Sequence, residues 1–452
     1  MSTSVHSSRS PLIDAIASSV HILTGSTDDH DPLLKLIGDA RFVLMGEATH
    51  GTHEFYRERA RITQRLITEK DFVAVAVEAD WPDAYRVNRY ARGRSGDAGS
   101  EQALTGFKRF PTWMWRNTDI VSFVDWLRSY NDALMSHVPA IGFYGLDLYS
   151  LFTSIDEVLR YLDKVDPEAA RHARARYACF DHFEEDSQRY GYSAGFGMSP
   201  SCEDGVVAQL RDLNARAADY LRNDGLEAAD ALFYAQQNAR LVVNAEHYYR
   251  NMFRGRISSW NLRDRHMADT LDALARHLEK ANGKPAKIVV WEHNSHVGDA
   301  RATEVGAQGE WNVGQLAREM YGDETFLIGF TTYDGTVTAA SDWDAPAERK
   351  RVRPALPGSI EDAFHNTGIR RFMLPLRGEN PAARALSDSK LERAIGVIYL
   401  PESERRSHYF HANLARQFDA VLHFDETHAV EPLERTARWR TGEAPETYPS
   451  GM

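Results

Sequence analysis

A histidine three residues after a glutamate, in a loop bracketed by glycines, has what is needed to take a proton from water. Gly46-Glu47-Ala48-Thr49-His50-Gly51 is such a segment. Imidazole titrates near pH 6.5 and accepts a proton at neutral pH, and an adjacent carboxylate can steady the ring and its cation. Three further segments carry groups for the same chemistry. They are Glu78-Ala79-Asp80-Trp81-Pro82, the acid Asp147, and Glu292-His293-Asn294-Ser295-His296. Water activation with charge stabilisation, that is hydrolysis, is the reaction class these residues suit.

These residues need a scaffold that brings them together. Short apolar runs at 41–45, 72–77, 140–146, 288–291, 326–330, 394–400 and 420–424 read as buried strands. Helical patterns separate most of them, which implies an α/β fold with a mostly parallel central sheet flanked by helices. Residues 151–282 show only helical spacing and read as an inserted all-helical lobe, with 191–205 as a loop inside it. The organisation is therefore 1–150 as the first part of the core, 151–282 as the lobe, and 283–452 as the second part. Each chemical segment follows a strand directly. In open α/β sheets the ligand crevice lies beyond the carboxyl ends of the strands.

The helix after His50 places Phe55, Arg59, Ile62 and Leu66 on one stripe, with Thr52 as N-cap, Glu54 at the positive end of the dipole and His53 in the first turn. A buried arginine needs a carboxylate, and Glu47 and Glu78 are the candidates; the alternative is a snorkelling side chain. Gly46 and Gly51 would give the His50 loop conformational freedom. His293 reads as a second pocket residue, whereas His296 joins it only if a helical turn follows the strand. The aromatics Trp113 and Trp115 are either a packed loop or a pocket wall.

Other chemistries fit less well. Gly191-Tyr192-Ser193-Ala194-Gly195 matches a nucleophile elbow but lacks the strand before it and the helix after it. Glu292 to His296 lacks the first histidine of a zinc-protease helix. A metal held by His50, His293 and the acids stays open, but no cofactor is required. No phosphate-binding glycine loop is present. The 452 residues carry a net charge of −12, which argues against nucleic acid and polybasic membrane binding. The polar start and the lack of a long apolar run suggest a cytoplasmic protein, with Cys179 and Cys202 as free thiols. Oligomeric state is not legible.

The blocks Gly46 to Phe55, Arg59, Glu78 with Trp81-Pro82, and Glu292 to His296 resemble the signature of the erythromycin esterase family. The likeness extends through Phe143-Tyr144-Gly145-Leu146-Asp147 and Trp260-Asn261-Leu262-Arg263-Asp264. The resemblance implies a hydrolase without a serine nucleophile, with His50 as the general base and Glu47, Arg59, Glu78 and His293 completing the catalytic set. His296, Trp113, Trp115, Tyr144, Asp147 and Arg263 are the expected substrate contacts. It implies a small ester or lactone substrate, a macrolide or, more in keeping with the Glu78–Pro82 and Trp113–Asn117 segments, another ester. More distant relatives suggest the alternatives of a metal-dependent hydrolase or a non-catalytic metal or haem carrier.

Overall fold

The computed structural model describes residues 10–222, 225–253, 255–378 and 380–441. Its strands are β1 (His21–Ile22), β2 (Phe42–Met45), β3 (Ala74–Asp80), β4 (Gly142–Asp147), β5 (Ile288–Trp291), β6 (Thr325–Ala339), β7 (Glu348–Val352), β8 (Arg371–Pro375), β9 (Lys390–Arg393), β10 (Tyr409–Ala412) and β11 (Ala420–Thr427). The main sheet runs β1-β8-β11-β6-β2-β5-β3-β4, with β7 paired to β6, and β9 and β10 form a separate antiparallel ribbon. From β11 to β4 all pairs are parallel; β8, β1 and β7 join antiparallel.

Every residue of β2, β3, β4 and β5 is buried. Alternation decides which layer each one feeds. Phe42, Leu44, Ala74, Ala76, Ile288 and Val290 pack on the side of the helical lobe. Val43, Met45, Val75, Val77, Val289 and Trp291 pack on the other, against the His53–Lys70 and Thr118–Ala133 helices. Between β4 and β5 the described residues form helices only, ending in Gly225–Asn251 and Arg256–Asn282.

Four sequence expectations are corrected. Residues 394–400 are not a strand; they form a loop with isolated bridges at Ile395 and Ile398, and the apolar run is explained by buried Ile395 and Tyr399. The expected loop at 191–205 begins inside the Ser187–Gly195 helix, so Gly191 to Gly195 is helical. There Gly191 and Gly195 abut the backbone of Tyr249 and Arg250, which is a packing role for small residues. Cys179 and Cys202 are joined in a disulfide, not free, with Cα atoms 5.9 Å apart. Gly46 and Gly51 have no positive φ; a Cβ at either would collide with Asn294 or with the Thr338 backbone, so close approach is the reason for glycine.

Candidate active site

The sheet order β2-β5-β3-β4 sets the carboxyl ends of four sequence-distant strands side by side. Met45 pairs with Trp291, and Trp291 with Val77. The segments that follow therefore converge. His50 and His293 lie with ring centroids 4.8 Å apart. Asn294 locks the two loops together: its N–H donates to the Glu47 carbonyl (2.9 Å) and its side chain bonds both backbone groups of Phe330 on β6.

His50 opens onto a cavity of about 580 Å³, shared with Glu78, Asp147, Arg263, His293 and His296. Its Nδ1 lies 2.8 Å from Glu47 Oε1. Glu47 Oε2 in turn lies 2.6 Å from Arg59 Nη2, and both side chains are fully buried. Arg59 sits over the Tyr56 and Trp291 rings, and the Tyr56 hydroxyl donates to the His50 and Met114 carbonyls. With Nδ1 held by the acid, His50 is left with Nε2 for chemistry.

Arg59 therefore pairs with Glu47 and not with Glu78, and it lies behind Glu47, off the cavity lining. Glu78 is held differently. One oxygen lies 2.7 Å from Arg263 Nη2, the other accepts the His293 backbone N–H at 2.9 Å. Arg263 also makes a two-pronged bond to Asp147, at 2.9 and 2.7 Å. Burial alone would raise the Glu78 carboxyl, but His296, His50 and Arg263 hold it well below the usual range.

The two histidines after β5 sit in opposite electrostatic states. Burial, then His50, lowers the His293 pKa to about 3. Its Nδ1 accepts from the Ser295 N–H (3.2 Å), so the neutral ring carries hydrogen on Nε2. His296 is buried too, yet Asp264 (2.9 Å) and Glu78 (3.4 Å) outweigh that penalty and raise it to about 10. A single helical turn, Asn294–Val297, capped by the His293 side chain, brings both histidines to the site. The His296 ring stacks on Trp260 at 4.5 Å.

Trp115 lines the cavity, its Nε1 donating to the Glu78 carbonyl. Trp113 and Tyr144 do not. Trp113 is packed in the core beside the Thr118–Ala133 helix, and Tyr144 points to the lobe side of β4, against Trp81. Among the described residues no group of three or more His, Cys, Asp or Glu is arranged to hold a metal ion.

Several cavity residues escaped the sequence reading. Trp260, Trp311, Tyr149 and Arg109 line it, as do Ala394, Gly396, Val397 and residues 406–410 from the chain's far end. Only Trp260 carried a signal, its place three residues before Arg263. Residues 394–400 read as a strand because of their apolar run; Ile395 and Tyr399 of that run are buried, while Ala394, Gly396 and Val397 line the cavity.

The model of the erythromycin esterase family matches residues 67–427, a range that begins after His50 and Arg59. An erythromycin esterase type II of Escherichia coli is 22% identical over 424 residues, covering 89% of this chain and 94% of that protein. A putative hydrolase of Bacillus subtilis is 24% identical over 357 residues, 73% and 72% of the two chains. Among solved structures, a Bacillus cereus protein superposes with TM-score 0.75 at 20% identity over 94% of this chain and 98% of its own. A succinoglycan biosynthesis protein gives 0.74 at 21%, over 95% and 100%. An erythromycin esterase mutant in an open conformation gives 0.65 at 18%, over 91% and 96%. With the family model spanning most of its length, and the fold shared with these structures, this chain belongs to the erythromycin esterase family.

Proposed function

We propose that the protein hydrolyses an ester or lactone, with His50 as the general base. The observation that carries this reading is the buried relay Arg59–Glu47–His50, which ends on a ring nitrogen at the floor of the cavity. Family membership supports a hydrolase; the base, the bond and the substrate class are our reading of the geometry.

In this mechanism water bound next to His50 loses a proton to Nε2 as its oxygen attacks the carbonyl carbon. Glu47 accepts the Nδ1 hydrogen, fixes the tautomer and stabilises the imidazolium, and Arg59 fixes Glu47. Charge develops on the carbonyl oxygen. The cationic Arg263 and His296 are the groups on the cavity wall that can offset it. Collapse breaks the carbon–oxygen bond, and the imidazolium returns its proton to the leaving alkoxide. Arg59, expected as a member of the catalytic set, acts here through Glu47, because it lies behind that carboxylate and off the cavity lining. Trp115 and Trp260 supply apolar walls for the substrate.

The test is hydrolysis of a panel of esters and lactones, macrolides included, by the wild type and His50→Ala. General-base loss is expected to lower kcat by about 10²–10⁴. Full activity in His50→Ala would end the proposal.

A further inference from the structure

Arg263 and His296 bring positive charge to the site, but both are already engaged. Arg263 gives Nε and Nη2 to Asp147 and Glu78. His296 lies against Asp264 and Glu78. An oxyanion forming on a carbonyl carbon is best met by a fixed donor with no other acceptor to serve. The indole N–H groups of Trp115, Trp260 and Trp311 on the cavity wall are spent on the carbonyls of Glu78, Trp311 and Asn261. The Ser295 hydroxyl lies 2.8 Å from His293 Nδ1, which carries no hydrogen, and donates there.

An uncommitted donor stands on the 394–400 loop. Ile395 pairs with Thr49, and its N–H donates to the Ala48 carbonyl at 2.8 Å. Gly396 is therefore the neighbour of His50 across that bridge, at the roughly 5 Å spacing of paired extended segments. Farther on, the Val397 carbonyl accepts the Ala340 N–H at 2.9 Å, and the Tyr399 N–H donates to the Ala340 carbonyl at 3.0 Å. The odd-numbered residues thus turn their backbone groups toward Ala48 and Ala340. In extended backbone the residues between them turn theirs the other way. Ala394 shows where that leads, its N–H donating to the His408 carbonyl at 2.9 Å. The Gly396 N–H faces the same side, and among the described residues it has no acceptor. Ala394, Gly396 and His408 all line the cavity.

Nothing in the fold requires glycine at position 396. Its φ is not positive. A Cβ there would meet no atom within 4 Å, whereas at Gly46 or Gly51 it would collide. The remaining use of a glycine is to let a ligand come close to the main chain.

We propose that the Gly396 amide is the oxyanion donor: its N–H bonds the substrate carbonyl oxygen as the water activated by His50 adds to the carbon. The inference rests on the hydrolase reading and deepens it by dividing the work. Gly396 supplies a directed hydrogen bond, and Arg263 and His296 supply charge from farther off. The reacting carbonyl then lies between the His50 ring and the peptide that follows Ile395.

The experiment separates the amide from any side chain. Gly396→Ala keeps the N–H and adds a methyl group in open space. Gly396→Pro removes an N–H that serves no protein acceptor, and the residue before it, Ile395, already sits in an extended bridge that suits a following proline. On an ester cleaved by the wild type, kcat is expected to change little in Gly396→Ala and to fall by about 10²–10³ in Gly396→Pro, with KM little affected. Phenylphosphonate, a tetrahedral oxyanion, is the second probe. Added to the full chain labelled with nitrogen-15 glycine, it is expected to move the Gly396 amide proton downfield, the signal being identified by its absence from Gly396→Ala. Its affinity is expected to fall about tenfold or more in Gly396→Pro. Equal turnover by the two variants, or a Gly396 amide that phosphonate leaves unmoved, overturns the assignment. The titration of the wild type decides the matter even where Gly396→Pro does not fold or no ester is cleaved. Hydrolysis intact in His50→Ala would sink the general-base reading and leave the donor standing.

Discussion

Arg59 Nη2 lies 2.6 Å from Glu47 Oε2 with both side chains buried, so the acid that orients His50 is itself fixed from behind. Removing the arginine leaves a buried carboxylate unmatched. Arg59→Met is expected to destabilise the protein by about 3–5 kcal/mol. Adding Glu47→Gln to it should recover part of that loss, because the orphaned charge is gone. Urea denaturation of the single and double variants checks both steps. A double variant no more stable than Arg59→Met would mean that the pair is not coupled as drawn.

Glu47→Gln alone leaves the shape of the site but offers His50 the wrong partner. The expected result is a fall in kcat of about 10²–10⁴ with KM little changed, since the substrate does not touch Glu47. Steady-state kinetics on any substrate found in the ester panel would show it. A change confined to KM would contradict the relay.

His296 offers a pH test. Its folded pKa is about 10 against an ordinary value of 6.5. A group raised in the folded state stabilises fully below its unfolded value and loses that contribution as pH rises through the folded one. Wild-type stability should therefore fall between pH 6.5 and 10, and more steeply than that of His296→Gln. Denaturation midpoints across that window give the comparison; parallel curves would refute the assignment. His293, lowered to about 3 by burial and then His50, should stay neutral from pH 5 to 8 in nitrogen-15 spectra, with hydrogen on Nε2.

The aromatic residues separate by location. Trp260 stacks on His296 and lines the cavity, so Trp260→Ala should raise KM. Trp113→Ala should cost about 3–5 kcal/mol of stability, as other large buried aromatics do, because Trp113 belongs to the core. Kinetics and thermal melts on the two variants distinguish these effects.

The disulfide between Cys179 and Cys202 spans 23 positions within the lobe. Reduction is expected to cost the lobe about 3 kcal/mol. Thermal melts with and without dithiothreitol should differ for the wild type and coincide for Cys179→Ser/Cys202→Ser.

Much of this was legible in the primary order because it is local. Continuous apolar runs marked strands buried on both faces, and β2, β3 and β5 follow them closely. Glu47 and His50 are three residues apart, so their contact needs one loop only. Arg59 announced a buried partner through its place on an apolar stripe, though two acids were equally available to it. Tertiary structure decided what depends on neighbours remote in sequence. The order β2-β5-β3-β4 put Glu78 beside His293 and Arg263 and left Glu47 to Arg59. Sheet order is set by how whole helical layers pack, and no local spacing encodes it. The same holds for Tyr144 and Trp113, whose side of the sheet follows from strand register and core packing. It holds too for the 394–410 segment, which becomes cavity wall only when the last third of the chain comes back to the loop after β2, where Ile395 bridges to Thr49.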